Sequence, residues 1–168
     1  MIAPETFRVD DDGVIPNNTL PALRYRGAPT SDDAAGDIEA LLRATDWPPQ
    51  WRGGVFAFQH YHSTAHEVLG VWDGWAEVQL GGELGPVITL DAGDIVVLPA
   101  GVGHCRQRAG AGFAVVGGYP ANQPDWDMCR ADPAVHDAAA ERIARVPLPP
   151  ADPVAGPDGP LLRHWGAR

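Results

Sequence analysis

Short runs of alternating hydrophobic and polar residues, separated by turn-forming residues, occupy the middle of the chain. Successive strand side chains point to opposite faces, so each run predicts a strand with one face turned toward a core. Glycine, proline and aspartate between the runs predict tight turns. The predicted strands cover residues 55–62, 67–72, 75–80, 86–90, 94–98, 104–109 and 112–118. This pattern predicts an all-β fold built as a small antiparallel barrel.

Two stretches with helical periodicity flank the predicted strands. The first runs from Ser31 to about Thr45, where apolar residues recur at helical spacing before the stop at Trp47-Pro48-Pro49. The second begins with Asp132 as its N-cap and continues to about residue 146. The first 30 residues and the last 22 are proline-rich and predicted to be irregular. We expect the tail, which carries Leu161, Leu162 and Trp165, to pack against the barrel or a neighbouring subunit.

Composition is typical of one small globular domain. The chain has 168 residues, of which 45% are hydrophobic, and its 20 glycines and 17 prolines suit a barrel with many turns. No segment approaches the roughly 20 apolar residues of a membrane span, and the amino terminus has no basic region followed by an apolar run. We therefore expect no membrane partner and a cytoplasmic protein.

Charge and residue usage exclude several function classes. All 12 basic residues are arginine, so a lysine Schiff base or lysine-anchored pyridoxal phosphate is excluded. The net charge of −10 argues against nucleic acid as a partner, which needs a basic footprint. The two cysteines, Cys105 and Cys129, are expected to be free thiols. No nucleophile elbow or phosphate-cradling glycine loop is present.

Three histidines and one glutamate form the main candidate for chemistry. His60 and His62 alternate along one predicted strand, so both project from the same face, which they share with Phe58. After a short turn, Glu67 begins the next strand, which ends at a predicted hairpin at Asp73-Gly74. This set of residue types predicts a site for a divalent metal.

A later turn supplies the third histidine. Pro99 fixes the entry of this turn and Gly101 permits positive φ, so His104 is delivered at the start of another strand. Alternation then places Arg106 and Arg108 on the same face as His104. Two guanidinium groups facing a cavity would bind a carboxylate or phosphate, which predicts a small polar or anionic substrate. The alternative is that either arginine lies beyond the barrel rim, in solvent.

The segments Gly54–Gly74 and Gly93–Arg108 resemble the paired motifs of the cupin superfamily, G-x5-H-x-H-x3-4-E-x6-G and G-x5-P-x-G-x2-H-x3-N. They match at every fixed position except the last, where Arg108 replaces asparagine. The resemblance implies a double-stranded β-helix, or jelly-roll, barrel with flanking short helices. It also implies one divalent transition metal (Fe, Mn, Ni or Zn) bound by His60, His62, Glu67 and His104.

Within that superfamily, the sequence is similar to the YjlB-type single-domain bacterial cupins, on two further segments. These are His-Tyr-His-Ser-x-x-His-Glu-Val-Leu-Gly-Val and the tail Asp-Pro-Val-x-Gly-x-Asp-Gly-Pro-Leu-Leu. The resemblance predicts one cupin domain over 1–168, with an N-terminal arm and helix in 1–50, the metal motifs within 54–108, and a helix and tail in 131–168. Cupins commonly pair through arms and sheet edges, so we expect a homodimer.

The first motif leaves one ambiguity. A three-residue spacing puts His66 in the position of the acid, whereas a four-residue spacing selects Glu67. Counting back six residues from Gly74 lands on Glu67, which favours the carboxylate. His66 is then expected on the other face, at the surface or as a hydrogen-bonding residue behind the site. A role as a ligand or pocket group stays open.

Three functional hypotheses follow. In the first, the protein is a metalloenzyme that converts a small polar molecule in a dioxygenase-type or another metal-assisted reaction. Glu67 is then the candidate catalytic residue, and Arg106, Arg108 and Phe58 are the candidate substrate-binding residues. In the second, the barrel is a non-catalytic small-ligand-binding cupin or a sugar-isomerase-like protein. In the third, the histidines are purely structural, and the protein holds no stoichiometric metal.

Overall fold

The computed structural model describes residues 3–28 and 31–166. The strands within these residues, β1 to β11 in chain order, are Glu5–Val9, Asn18–Tyr25, Pro49–Gly53, His60–Tyr61, Glu67–Asp73, Trp75–Leu80, Val87–Asp91, Ile95–Leu98, His104–Ala109, Ala114–Gly118 and Cys129–Arg130. The helices, α1 to α3, are Ala34–Ala44, His136–Ile143 and Pro160–His164. These elements confirm the expected mostly β protein with few short helices.

The strands form two antiparallel sheets. One has six strands in the order β1-β2-β8-β5-β10-β3, and the other has five in the order β11-β4-β9-β6-β7. Hydrophobic side chains from both sheets meet in one cluster, to which Leu69 and Val115 contribute from the larger sheet and Val78 and Leu90 from the smaller. The main core therefore lies between the two sheets, as expected for a jelly-roll barrel.

Helix α1 and the carboxyl-terminal tail cover the outer face of the larger sheet. Ile38 and Leu42 of the helix, together with Trp47 and Leu161, pack against the residues of that face. Asp33 caps the helix because its carboxylate accepts a hydrogen bond of 3.1 Å from the Gly36 N–H. Both outer elements thus bury apolar residues that would otherwise face water.

The tail packs on the barrel, which is one of the two expected arrangements. Leu161 and Trp165 are buried, and the Trp165 indole donates a hydrogen bond to the Pro21 carbonyl. The buried Asp152 carboxylate, near the start of the tail, accepts hydrogen bonds from the Tyr25 hydroxyl, at 2.6 Å, and the Leu161 N–H, at 2.8 Å. A buried carboxylate with this many donors anchors the tail, although its proline-rich sequence predicts irregular structure.

The helix predictions are confirmed with shorter bounds. The first helix begins three residues after Ser31, and Thr45 follows its last residue. Asp132 caps the second region as predicted, but the turn Pro133–Val135 is a 3₁₀ turn, and α2 follows it. No helix in the described part of the chain is long and apolar enough to cross a membrane.

Two strand predictions are wrong. The predicted strand 55–62 is reduced to His60–Tyr61, because the preceding residues do not join a regular ladder. Conversely, the first 30 residues, which are predicted to be irregular, contain β1 and β2, and these two strands form an antiparallel hairpin. Pro21 is tolerated inside β2 because it falls in the irregular stretch of the register between the pairs Phe7–Ala22 and Val9–Asn18, where its missing N–H removes no ladder bond.

Candidate metal centre

Two turns bring the histidines and the glutamate of the two motifs together inside the barrel. The hairpin at Gly74 has φ +66° and fixes the register of β5, whose first residue is Glu67. The second turn needs Gly101, at φ +89°, whose N–H donates a hydrogen bond of 2.7 Å to the His62 carbonyl. This bond ties the two motifs together. Across the sheet, His60 in β4 is the direct partner of His104 in β9.

Three of the four predicted ligands lie within bonding range of a single ion. His62 Nε2 is 3.1 Å from Glu67 Oε1, and His104 Nε2 is 3.2 Å from Glu67 Oε2. One ligand atom from each of these residues lies within 4.8 Å of the other two. His60 lies beside the group, with its ring centroid 4.0 Å from that of His104, but it is not one of the three.

Backbone carbonyls hold the outer nitrogen of all three imidazoles. Nδ1 of His60 lies 3.0 Å from the Phe58 carbonyl, and Nδ1 of His104 lies 3.2 Å from the Val102 carbonyl. Nδ1 of His62 is hydrogen-bonded to the Asp127 carbonyl. A carbonyl can only accept, so each Nδ1 carries the proton, which leaves Nε2 as the nitrogen free to bind an ion. Metal-binding histidines are held in the same way.

Electrostatics favour a positive charge between the imidazoles and the carboxylate. Burial alone would lower the pKa of His62, but the Glu67 carboxylate outweighs it and raises that pKa to about 9. Burial would likewise raise the pKa of Glu67, yet the nearby His62 and His104 hold it below its usual range. Burial, with the neighbouring His104, lowers the pKa of His60 to about 3. The carboxylate is therefore ionised, and either a proton or a metal ion must neutralise it.

These residues fit a bound transition metal. Glu67 Oε2 is buried and has no hydrogen bond of good geometry among the described residues, so it has an acceptor lone pair to give to a cation. Imidazole nitrogen with one carboxylate oxygen suits first-row transition metals, whereas calcium and magnesium prefer oxygen ligands alone. The buried group of His62, Glu67 and His104 has the donor chemistry for such an ion.

A tyrosine that the sequence did not single out completes the surroundings of the carboxylate. The Tyr119 hydroxyl donates a hydrogen bond of 3.2 Å to Glu67 Oε1 and accepts one of 3.1 Å from Trp51 Nε1. Burial, with the Glu67 charge nearby, raises the pKa of Tyr119 above its usual range, so the hydroxyl stays protonated and remains a donor. Tyr119 follows β10 by one residue, and no motif spacing in the sequence links it to the ligands.

A cavity of about 480 Å³ opens onto the three ligands. Its wall is mainly aromatic and apolar and includes the side chains of Trp51, Phe56, Tyr119, Trp126 and Met128. Trp126 stacks on Tyr119, with ring centroids 4.5 Å apart and planes 14° apart. Among the described residues that line it, Glu67 is the only one with an acidic side chain, and no lysine or arginine is present. The cavity therefore suits an apolar molecule better than an anion.

Arg108 does not lie on the same face as His104 and Arg106, although the sequence predicts that it does, because a β-bulge intervenes. Arg106 pairs with Val78 and Arg108 with Glu77, so Gln107 is an extra residue that shifts the alternation. Arg108 consequently reaches the Glu77 carboxylate through two hydrogen bonds of 2.6 Å, and its side chain is 67% exposed.

The remaining substrate-binding candidates also lie outside the cavity lining. Arg106 is half-buried, and its Nε has no hydrogen-bond partner in the described structure. Phe58 packs under the Arg130 guanidinium, 4.0 Å from its ring centroid, beside a different cleft. Substrate binding by Arg106 or Phe58 stays a prediction.

His66 points away from the cavity, as the hairpin register predicts. It is buried and not at the surface, since Nδ1 accepts a hydrogen bond of 2.9 Å from the Ala100 N–H and Nε2 lies 3.1 Å from the Pro147 carbonyl. Its ring packs on Trp165, with centroids 4.7 Å apart. Burial lowers the pKa of His66 to about 4, so the ring is neutral and joins the tail to the barrel.

Comparison with known proteins places the chain in a family. It is 38% identical to the uncharacterized protein YjlB of Bacillus subtilis (strain 168) over 162 residues, which are 96% of each chain. The chain belongs to the YjlB family. With the two antiparallel sheets described above, this confirms the expected cupin-type protein. No family model matches the sequence.

Solved structures show more distant similarity. A double-stranded β-helix protein of Klebsiella pneumoniae subsp. pneumoniae MGH 78578 is 17% identical, with a TM-score of 0.39 over 71% of this chain and 81% of that one. Salicylate 1,2-dioxygenase of Pseudaminobacter salicylatoxidans is 15% identical, with a TM-score of 0.36 over 66% of this chain and 25% of the dioxygenase. Similarities at these TM-scores carry no functional argument.

Proposed function

We propose that this YjlB-family protein is a metal-dependent cupin that converts a small molecule bound in the aromatic cavity. The metal ligands in this proposal are His60, His62, Glu67 and His104. The supporting observation is the orientation of the imidazoles: each Nδ1 is held by a backbone carbonyl, and Nε2 of His62 and of His104 faces the same buried carboxylate. His60, whose ring lies beside that of His104, is included as the fourth ligand because it occupies the matching position of the cupin motif.

One divalent ion of iron, manganese, nickel or zinc suits this donor set. When bound, such an ion supplies Lewis-acid or redox chemistry at coordination positions that the protein leaves open. The chain itself contributes a buried, rigid set of ligands and an enclosed cavity wall. We treat residues 1–168 as one cupin domain that performs this function.

The cavity wall favours a ring-containing, largely apolar molecule over the anionic substrate that the arginines suggest. Trp51, Phe56 and the stacked Trp126 offer flat faces for a ring, and no arginine is among the lining residues. A hydroxyl or similar donor on the ring would face the metal ligands, where a polar group finds partners. A dioxygenase-type reaction on such a molecule is the specific form of the proposal.

Glu67 is assigned a second role in proton transfer. It is the only carboxylate among the described residues that line the cavity, and it is ionised because neighbouring imidazoles lower its pKa. Once it leaves the metal, the carboxylate can accept the proton of a bound hydroxyl and return it to the product, and the Tyr119 hydroxyl at 3.2 Å stabilises the charge of the deprotonated carboxylate.

Metal analysis tests the proposal directly. Protein purified without an affinity tag and reloaded with Fe(II), Mn(II), Ni(II) or Zn(II) should retain about one ion per chain after desalting. His104→Ala should abolish this retention, because it removes one of the three converging ligands. His164→Ala, which removes an exposed imidazole, is the matched control and should behave like the wild type. A wild-type protein that retains none of these metals would refute the proposal.

Substrate screening separates an enzyme from a non-catalytic binding cupin. The metal-loaded protein is tested for oxygen uptake with phenols, diols, thiols and keto acids, and binding is followed by quenching of tryptophan fluorescence. Oxygen uptake with a phenol that depends on Glu67 supports the dioxygenase form. Saturable quenching without turnover by any of these compounds supports the binding cupin.

We also propose a homodimer formed through a sheet edge. The edge strand β7 exposes Val87, which is 50% accessible in the single chain. Light scattering at micromolar concentration should give twice the mass of one chain, 17.9 kDa. A mass of one chain over the whole concentration range would refute this part of the proposal.

A further inference from the structure

The segment between β10 and β11 docks on the turn that joins His62 to Glu67. Asp127 Oδ1 accepts hydrogen bonds from the N–H groups of Ser63, at 2.6 Å, and Thr64, at 3.2 Å, and Oδ2 accepts one from the Ser63 hydroxyl. In return, the Asp127 N–H donates to Thr64 Oγ1 at 2.9 Å. The two loops are thus joined at one aspartate through both its side chain and its backbone.

His62 depends on this docking in a way that the other two imidazoles do not. His60 and His104 each bond to a carbonyl two residues earlier in their own segment. His62 instead bonds to the carbonyl of Asp127, 65 residues away in the chain. Its ring orientation is therefore set by a tertiary contact, and the side-chain bonds of Asp127 fix where that carbonyl lies.

The same segment forms part of the cavity wall. Trp126 and Met128, on either side of Asp127, line the cavity, and both are partly exposed there, at 40% and 45%. Trp126 also stacks on Tyr119, whose hydroxyl donates to Glu67. A displacement of the segment would therefore disturb the cavity wall, the orientation of His62 and the hydrogen bond from Tyr119 to Glu67 at the same time.

We propose that Asp127 is a positioning residue that orients His62 for the metal and places Trp126 and Met128 against the bound molecule. This inference rests on the proposed metal-dependent function. It implies that binding of the metal and binding of the molecule in the cavity are linked, since each is favoured by the docked segment. A molecule that packs on Trp126 then raises the metal affinity, and by reciprocity the metal raises the affinity for that molecule.

Cobalt(II) is the probe for the first test, because its visible spectrum reports ligand geometry. Asp127→Ala should weaken Co(II) binding by roughly 10- to 100-fold, the usual effect of removing a residue that orients a metal ligand, and should alter the spectrum. Asp127→Asn keeps an acceptor oxygen for the Ser63 and Thr64 N–H groups, so its loss should be less than that of Asp127→Ala.

Asp125→Asn is the matched control, since it removes the same charge from an exposed side chain in the same loop. It should keep the wild-type affinity and spectrum. An Asp127→Ala protein that keeps its wild-type melting behaviour, affinity and spectrum would overturn the proposal. An equal loss in Asp125→Asn would also overturn it, because the effect would then come from net charge.

Benzene tests the linkage, because it has no donor atom with which to bind a metal. Benzene near saturation should tighten Co(II) binding at least twofold in the wild type and have no effect in Asp127→Ala. Equal tightening in both proteins, or none in the wild type, would refute the linkage.

Hydrogen exchange keeps this inference separate from the proposed function. If wild-type protein does not bind Co(II), the metal function fails, but the docking is still measurable in the metal-free protein. The amides of Ser63 and Thr64 should exchange at least about tenfold faster in Asp127→Ala than in Asp125→Asn. Equal exchange in the two variants would show that Asp127 does not fix this turn.

Discussion

Replacing Tyr119 by phenylalanine tests whether its hydroxyl stabilises the buried carboxylate. The hydroxyl donates to Glu67 at 3.2 Å and accepts from Trp51 at 3.1 Å. A hydrogen bond to a charged group contributes about 1.5–3 kcal/mol, and leaving a partly buried indole N–H unpaired costs about 1 kcal/mol. The metal-free variant should therefore lose roughly 3 kcal/mol of unfolding free energy, which for a chain of this size lowers Tm by about 6–12 °C.

Tyr61→Phe is a closely matched control. It makes the same chemical change at a fully buried tyrosine whose hydroxyl has no hydrogen-bond partner among the described residues. Because the hydroxyl has only a weak interaction with the Cys129 thiol, the unfolding free energy should stay within about 0.5 kcal/mol of the wild type. Urea unfolding in the presence of a chelator, followed by circular dichroism, measures both variants under the same conditions.

Metal loading should reduce the effect of the Tyr119 substitution. An ion bound to Glu67 withdraws negative charge from the oxygen that the hydroxyl contacts, so the bond contributes less in the loaded protein. The difference between wild type and Tyr119→Phe should shrink when a saturating metal is added. If Tyr119→Phe and Tyr61→Phe lose equal stability in the metal-free state, the proposed network around the carboxylate is refuted.

Three further predictions concern pH, the tail and the surface. The pKa of His62 is raised to about 9, so its contribution to the stability of the metal-free protein should be complete below about pH 6.5 and disappear as the pH rises through 9. Metal uptake near pH 7 should release the proton of His62, which a pH-indicator titration detects. Asp152→Ala leaves two buried donors, the Tyr25 hydroxyl and the Leu161 N–H, and two partly buried N–H groups unpaired, and should lower the unfolding free energy by about 3 kcal/mol, measured by urea unfolding. Arg108→Ala breaks an exposed ion pair with Glu77 and a contact with the Trp75 ring, so stability, measured by urea unfolding, and metal content should both stay close to the wild-type values.

The spacing of the ligands was predictable because local geometry sets it. Strand alternation predicts His60 and His62 on one face, and the glycine turns at Gly74 and Gly101 fix where the next segments begin, although His62 itself lies just beyond the short strand His60–Tyr61. These rules act over a few residues, so they are visible in a single sequence. They were sufficient for the mostly β fold and the two principal helices, whereas the convergence of His62, Glu67 and His104 was predicted from the resemblance to the cupin motifs.

The parts of the site that were missed arise from contacts between distant segments. Arg108 lies on a different face from the predicted one because Gln107 is an extra residue in the ladder with β6. The sequence of β9 does not indicate this bulge. Trp126 and Asp127 reach the site through the docking of the loop after β10 on the turn at residues 63–64, and Tyr119 reaches it through the pairing of β10 with β5. No periodicity relates these residues to the ligands, so sequence patterns alone do not indicate their roles.

The separation of the ligands along the chain has a consequence for how the protein matures. His62 and Glu67 are near neighbours in sequence, but His104 reaches them only after several strands have been synthesised and β9 has paired with β4. A nascent polypeptide emerging from the ribosome thus lacks His104 and the strand pairing that gathers the proposed ligands, so it is not expected to retain an ion firmly. We expect the metal to enter late, through the mouth of the finished barrel, so that its identity reflects the ions available after folding.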